Sequence, residues 1–358
     1  LLREIAARGP DAFYTGANAK TISDAVARAP RHPSQLTVKD IAAYKAKERP
    51  AVCTTYRIYK VCGMGPPSSG ATTVFGILGM IEGWDMKAMG KDNPMSWHLL
   101  SEAMQLSYAD RAAYLGDGDF VDVPVKGLLD KSYLAERRRL ISPFGAADKY
   151  EPGTPPGAKP RAAAPPVEEQ GTTHFVTVDK DGNLVSMTST IESIFGSQLM
   201  ANGYFLNNEL TDFDLAPTEG GVPTANRVEA GKRPLSSMSP TVVYGPDGKV
   251  VLAVGSAGGK RIIMHVTKVL VGVLDWGLDA KQAMELPNLF FGKDGVLIEN
   301  NDAGKAIAAK MKPFGYSFTA TSLGSKLNAV EHTTAGWRGA ADPRGPGSSS
   351  IDGAPAQN

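Results

Sequence analysis

Apolar positions recur with a helical period in the early part of the chain, and six segments predict helices: 2–8, 18–28, 38–46, 71–82, 95–114 and 130–140. Between the third and fourth, "AVCTTYRIYKV" predicts a pair of strands, and "GMGPPSSGATT" predicts a loop. Past residue 171 the period changes to two. "THFVTVD" and "NLVSMTST" alternate around "KDGN", a good hairpin turn, and "SPTVVYG" and "KVVLAVGS" do so around "PDG". Helices from about Lys260 to Trp276 and near 279–286 follow, then a strand "GVLIEN", a helix at 302–313 and a Gly-rich tail. Hairpins followed by helices predict two sheets sandwiched by helices rather than a βαβ repeat.

The pattern divides the chain into a mostly helical region over 1–150, a linker over 151–171 and a strand-rich region over 172–358. "YEPGTPPGAKPRAAAPPVEEQG" is crowded with Pro, Gly and Ala, a composition that builds no core and reads as mobile. The opening "LLREIAARGPDAFYTG" starts on an amphipathic helix with no initiator Met or signal peptide, so the chain reads as a fragment.

Composition narrows the classes. The chain has 358 residues, 42% hydrophobic and 21% charged, ordinary for a soluble globular protein with ample core material. With 38 basic and 37 acidic residues it carries no electrostatic footprint of a nucleic-acid binder. No apolar run reaches membrane-spanning length. The two cysteines, Cys53 and Cys62, read as unpaired, half-buried thiols, with a hairpin bridge as the alternative. Five scattered histidines show no ligand spacing, and no metal or organic cofactor is implied.

The chemistry concentrates where the linker meets the first strand, at "GTTHFVTVD". The bland reading is a linker that ends where a strand begins. The chemical reading is that the bond between Gly171 and Thr172 is made to break. A threonine hydroxyl is a poor nucleophile until a base takes its proton. The chain offers no convincing Ser/His/Asp set, and "GSAGG" departs from the Gly-x-Ser-x-Gly elbow. A free α-amine on Thr172, with a pKa near ~8, would be an intramolecular base for its own hydroxyl. Before that amine exists, the same hydroxyl would attack the Gly171 carbonyl, shift the acyl group from N to O, and let water finish.

Ordered motifs shift the balance. "GTTHFVTVDKDGN", "GYFLNNELTDF", "KRPLSSMSP" and "VGSAGGKRII" resemble the small subunit of γ-glutamyltranspeptidases. Upstream, "GPDAFYTG", "DIAAYKAKERPAV", "PPSSGATT" and "YADRAAYLGDGDFVDVP" resemble the C-terminal half of that family's large subunit. The resemblance implies an α/β (α+β) fold, the four-layer αββα sandwich of N-terminal-nucleophile hydrolases, and autocleavage at Gly171–Thr172. It implies Thr172 as nucleophile, Thr190 as its hydrogen-bonding activator, and Gly258 and Gly259 as the oxyanion hole. Glu209 and Asp212 would hold a donor's α-amino group, and Ser236 and Ser237 its α-carboxylate. Read without the resemblance, "GSAGG" is a helix-initiating turn, Glu209 and Asp212 are turn residues, and the serines bond their own loop.

The resemblance also implies a small-molecule γ-glutamyl or related acyl substrate, with water or an amine as acceptor. A further N-terminal part of the large subunit would be a partner. By family analogy the setting would be periplasmic or secreted. Three departures bear on the substrate. Glu192 stands where many members have an asparagine that contacts the donor, and glutamate there resembles cephalosporin or glutaryl acylases. "APTEGGVPTANRVEAGKRP" is shorter than the family's lid loop and lacks its aromatic, which favours hydrolysis over transfer. The arginine that binds the donor α-carboxylate in the family lies upstream, so no residue here takes that role. The expected function is a self-processing γ-glutamyl hydrolase or transferase on glutathione-like amides. The alternatives are a glutaryl or cephalosporin-type acylase and an unprocessed, non-catalytic binding relative.

Overall fold

The computed structural model describes residues 1–163, 171–292 and 295–350. Its α-helices are α1 (Leu2–Arg8), α2 (Asp11–Tyr14), α3 (Gly16–Ala27), α4 (Val38–Ala43), α5 (Gly70–Ile81), α6 (Met86–Met89), α7 (Pro94–Tyr114), α8 (Val125–Leu128), α9 (Lys131–Arg138), α10 (Arg261–Leu274), α11 (Ala280–Glu285) and α12 (Asp302–Met311). Its strands are β1 (Val52–Tyr56), β2 (Tyr59–Gly63), β3 (Thr173–Val178), β4 (Leu184–Ser189), β5 (Met200–Ala201), β6 (Tyr204–Phe205), β7 (Thr218–Glu219), β8 (Val222–Pro223), β9 (Thr241–Tyr244), β10 (Val250–Gly255), β11 (Leu289–Gly292), β12 (Gly295–Glu299), β13 (Phe318–Thr321), β14 (Asn328–Thr333) and β15 (Gly336–Ala341). The chain forms two compact units, Leu1–Arg49 with Thr190–Leu210, and Pro50–Ser189 with Thr211–Asn358.

In the smaller unit, α1 to α4 meet the short β5–β6 hairpin. Ala19, Ile22, Ile41 and Ala201 form its core, with Phe13, Tyr14 and Tyr204 packed against it. The α4 start is fixed by a capping box, in which Thr37 accepts from the Asp40 N–H and Asp40 accepts from the Thr37 N–H. The buried Asn18 side chain accepts from Asn202 Nδ2 at 2.6 Å and the Tyr204 hydroxyl at 2.9 Å.

The larger unit is built on a six-stranded antiparallel sheet in the order β1-β2-β9-β10-β14-β15. The helices α5 and α10 join its apolar core, and nearly every residue of both is buried because they are covered on more than one side. The β3–β4 hairpin lies against β10 and β14 as the start of a second sheet layer. Helix α7 carries an Asn93 cap and Pro94 at its first position, the pairing that opens a helix at no cost in donors. A three-stranded sheet, β11-β12-β13, stands beside α12.

Three expectations need correction. Cys53 and Cys62 are not free thiols: they are directly opposite on β1 and β2 and form a disulfide. The "Gly-rich tail" contains β14 and β15, which the alternation missed because small residues such as Ala329, Ala340 and Ala341 fill their buried positions. Finally, the start of the expected mobile linker, at Glu151 and Gly153, is held by hydrogen bonds. The Gly153 N–H donates to Asp110 Oδ1 at 2.7 Å, its carbonyl accepts from the Tyr114 hydroxyl at 2.6 Å, and Glu151 O accepts from Arg137 at 2.9 Å. Backbone groups make these bonds, so side-chain composition did not reveal them. The remainder of the expected linker, 164–170, lies outside the described residues.

Candidate active site

Thr172 immediately precedes β3, and the two residues at the expected break have φ angles of 102° for Gly171 and 95° for Thr172. Glycine adopts such angles freely, whereas a β-branched residue does so only under strain of about 1–3 kcal/mol. The strand that follows is locked by His174. The residue is 2% exposed, its Nδ1 lies 2.8 Å from Thr188 Oγ1 across the hairpin, and its carbonyl accepts from Asn328 Nδ2 at 2.9 Å. A Cβ on Gly255 would lie 2.3 Å from that ring, so glycine at the end of β10 is what lets β3 approach. Burial pushes His174 down to about 4, which keeps the imidazole neutral at ordinary pH.

Beyond Gly255, β10 runs into the "GSAGG" turn and then α10. Gly258 has φ 129° and Gly259 φ 58°. This is a glycine-only backbone at the mouth of a helix, where the first N–H groups have no intrahelical partner. His265 of α10 packs under the turn: its Nδ1 is 3.1 Å from Ser256 Oγ, which donates to Ala257 O at 3.1 Å. A Cβ on Gly258 would come within 3.2 Å of His265 Cε1. Burial, with Lys268 nearby, pushes His265 down to about 3.

Ser236 and Ser237 are held against the "PPSSG" loop. The Ser69 N–H and hydroxyl both donate to Ser236 O at 2.7 Å, and the Ser236 N–H donates to Pro67 O at 3.1 Å. From α7, Arg111 donates its Nε to Ser69 Oγ and its Nη2 to Ser237 Oγ, both at 2.8 Å. Asp212 ends the 3₁₀ turn Glu209–Asp212 and its carbonyl accepts from Asn226 Nδ2 at 2.7 Å, while the Glu209 N–H donates to Asn207 Oδ1 at 3.1 Å. The stretch 216–234 opens with the exposed β7–β8 hairpin and then turns inward, with Thr224, Ala225 and Asn226 buried.

In the smaller unit, Thr190 Oγ1 accepts from the Glu192 N–H at 2.8 Å. Glu192 has φ 70°, is buried, and its Oε2 accepts from Ser193 Oγ at 2.6 Å and from Asn208 Nδ2. Thr172, Asp212, Ser236, Ser237, Gly258 and Gly259 therefore belong to one unit, and Thr190, Glu192 and Glu209 to the other. Sequence reasoning passed over His174, Arg111, His265 and Asn208. His174, Arg111 and Asn208 sit inside quoted motifs, "GTTHF", "YADRAAYLGD" and "GYFLNNELTDF", but the folded chain gave them their partners, and that has no local signal there.

The two-sheet architecture is shared with a solved structure, that of a cephalosporin acylase from Bacillus halodurans. Its TM-score is 0.82 at 25% identity, covering 96% of this chain and 60% of that one. This fold, with a threonine heading the strand, is of the N-terminal-nucleophile hydrolase class. The chain belongs to the Gamma-glutamyltranspeptidase family, whose sequence profile matches residues 1–351. It is 36% identical over 351 residues to a glutathione hydrolase proenzyme of Bacillus subtilis (strain 168), covering 94% of this chain and 58% of the relative. It is 40% identical over 296 residues to the glutathione hydrolase proenzyme of Escherichia coli (strain K12), covering 80% and 49%. An acylase ACY 1 proenzyme of a Pseudomonas species (strain SE83) is 31% identical over 332 residues, covering 92% and 56%. The chain thus spans about half the length of the curated relatives it matches.

Proposed function

We propose that this chain is the catalytic part of a self-processing γ-glutamyl hydrolase acting on glutathione-like amides. The observation that carries the proposal is the backbone at 171–172: a strained threonine follows a glycine, at the head of a strand locked by His174. Thr172 Oγ attacks the Gly171 carbonyl carbon, the peptide C–N bond breaks, and the acyl group moves onto oxygen. Water then hydrolyses the ester, leaving the Gly171 carboxylate and a free Thr172 α-amine. That amine serves as base when Thr172 Oγ attacks the γ-carbonyl of a donor. Gly258 and Gly259 offer N–H groups to the oxyanion, Thr190 orients the nucleophile, and Ser236 and Ser237 receive the carboxylate of the donor. The product amine leaves, and water releases the acyl group.

Intact mass of the denatured protein, followed by N-terminal sequencing, tests the proposal. Two chains, the second beginning Thr-Thr-His-Phe, are the expected result. A single uncut chain after prolonged incubation would sink the enzyme reading and leave a binding role.

A second reading, an acylase for glutaryl or cephalosporin side chains, is favoured by the acylase relatives and by the resemblance to such acylases of a glutamate at position 192. It keeps the same nucleophile. Kinetics on γ-glutamyl against glutaryl anilides separate the two, since only the first carries an amine for Glu192, Glu209 and Asp212 to hold.

A further inference from the structure

Arg111 is a buried guanidinium, 6% exposed, on a helix distant in sequence from the residues it serves. It donates to two hydroxyls at once, Ser69 Oγ and Ser237 Oγ, at 2.8 Å each. Arginine only donates, so both serine oxygens must accept from it. Each hydroxyl then has one proton left to place. Ser69 gives its proton to Ser236 O at 2.7 Å. Among the described residues, Arg111 is the hydrogen-bonding partner of Ser237 Oγ, and no acceptor takes the Ser237 proton.

We propose that Arg111 is a positioning residue for carboxylate recognition. It fixes the buried Ser237 Oγ as an acceptor from its Nη2 and so leaves the Ser237 proton to be given to the carboxylate of the acyl donor. The inference rests on the reading of Ser236 and Ser237 as the carboxylate subsite. A guanidinium behind the hydroxyl polarises the O–H bond and favours an anion in front of it. Through Ser69 the same guanidinium also sets the Ser236 carbonyl, so one side chain aligns both members of the pair. γ-Glutamyl and glutaryl groups each end in a carboxylate at this place. The positioning by Arg111 would therefore serve either donor.

The test uses p-nitroanilides of γ-glutamyl, glutaryl and butanoyl groups on the protein with its full natural chain. Arg111→Lys keeps the charge but replaces a fork by a point donor that cannot hold both hydroxyls. The expected loss of kcat/KM on the two carboxylate-bearing anilides exceeds that on the butanoyl anilide by about ten- to a hundredfold, mostly through KM. Ser237→Ala gives a similar selective loss, and adding Arg111→Lys to it worsens the carboxylate preference little further. Equal losses on all three anilides, or losses that multiply in the double variant, would mean that Arg111 only supports the fold. Should the wild type neither process itself nor turn over any anilide, the proposed function fails separately. Calorimetric binding of glutarate then decides: weaker binding by Arg111→Lys keeps the inference, and equal or absent binding overturns it.

Discussion

A threonine at φ 95° beside a glycine at φ 102° holds strain that ends when the bond between them is cut, because a free amine has no φ to constrain. On the proposed reading, the nucleophile and the bond it attacks would be in one dipeptide, and its chemistry would be decided at single atoms. Thr172→Ala removes the hydroxyl, and the expected product is a single uncut chain with activity down by at least about a thousandfold. Thr172→Ser keeps the hydroxyl and is expected to process, though more slowly. Denaturing gels over a time course read both. Glu192 is a second residue-scale case. Glu192→Gln retains an oxygen for Ser193 and Asn208 but loses the charge. If the carboxylate serves the donor amine, kcat/KM should drop several-fold on γ-glutamyl anilide while the glutaryl anilide is spared. The opposite pattern would favour the acylase reading.

Elements explain how such residues are held within their own unit. The β3–β4 hairpin was legible from its alternation and its "KDGN" turn, because a half-buried strand writes period two into the sequence. Its docking was not legible, since that depends on His174 finding space above a glycine on another strand, some eighty residues on. Helix α10 was legible as an apolar run, but the role of His265 beneath the "GSAGG" turn required the turn to fold back over it. The hairpin β1–β2 shows the opposite limit: spacing allowed a bridge and pairing decided it, since Cys53 and Cys62 are directly opposite in register. Closing so short a loop contributes about 2–3 kcal/mol by chain entropy. The double variant Cys53→Ser, Cys62→Ser should lower the melting temperature by several degrees in calorimetry. It should leave processing at 171–172 intact, because this hairpin is at the opposite side of β9 and β10 from β14 and β15.

At the scale of the larger unit, the central sheet takes β1 and β2 from before Gly171 and the other four strands from after Thr172, with β2 paired to β9. The same core gathers Phe75 and Leu100 from one side and Val254 and Ile263 from the other. Cleavage should therefore not release the pieces: size-exclusion chromatography is expected to show one species, which splits only in denaturant. The larger unit also carries an acid liability. His174 and His265 are buried neutral, pushed down to about 4 and about 3, whereas the unfolded chain takes up their protons near the usual value of 6.5. Below that value the unfolded state binds more protons, so stability is fully present above pH 6.5 and falls as the pH drops toward 4. The slope is about 1.4 kcal/mol per pH unit for each histidine. Melting temperatures between pH 7 and pH 4 should follow it, less steeply in His265→Gln.

The sequence by itself determined the longer helices, the β3–β4 and β9–β10 hairpins and the motifs that place the chain in its family, because periodicity and turn chemistry are local and every residue type in them is written along the chain. It also marked Gly171–Thr172 by juxtaposing a linker and a strand. Tertiary structure alone decided that the two cysteines bond, where small-residue strands such as β14 and β15 pair, and that the backbone at Glu151 and Gly153 is held. It decided as well that Arg111, remote in sequence, reaches Ser69 and Ser237. The physical reason is the same in each case. A buried donor must find its acceptor and a close approach must find its glycine across long stretches of chain, and such partners exist only once the core has closed.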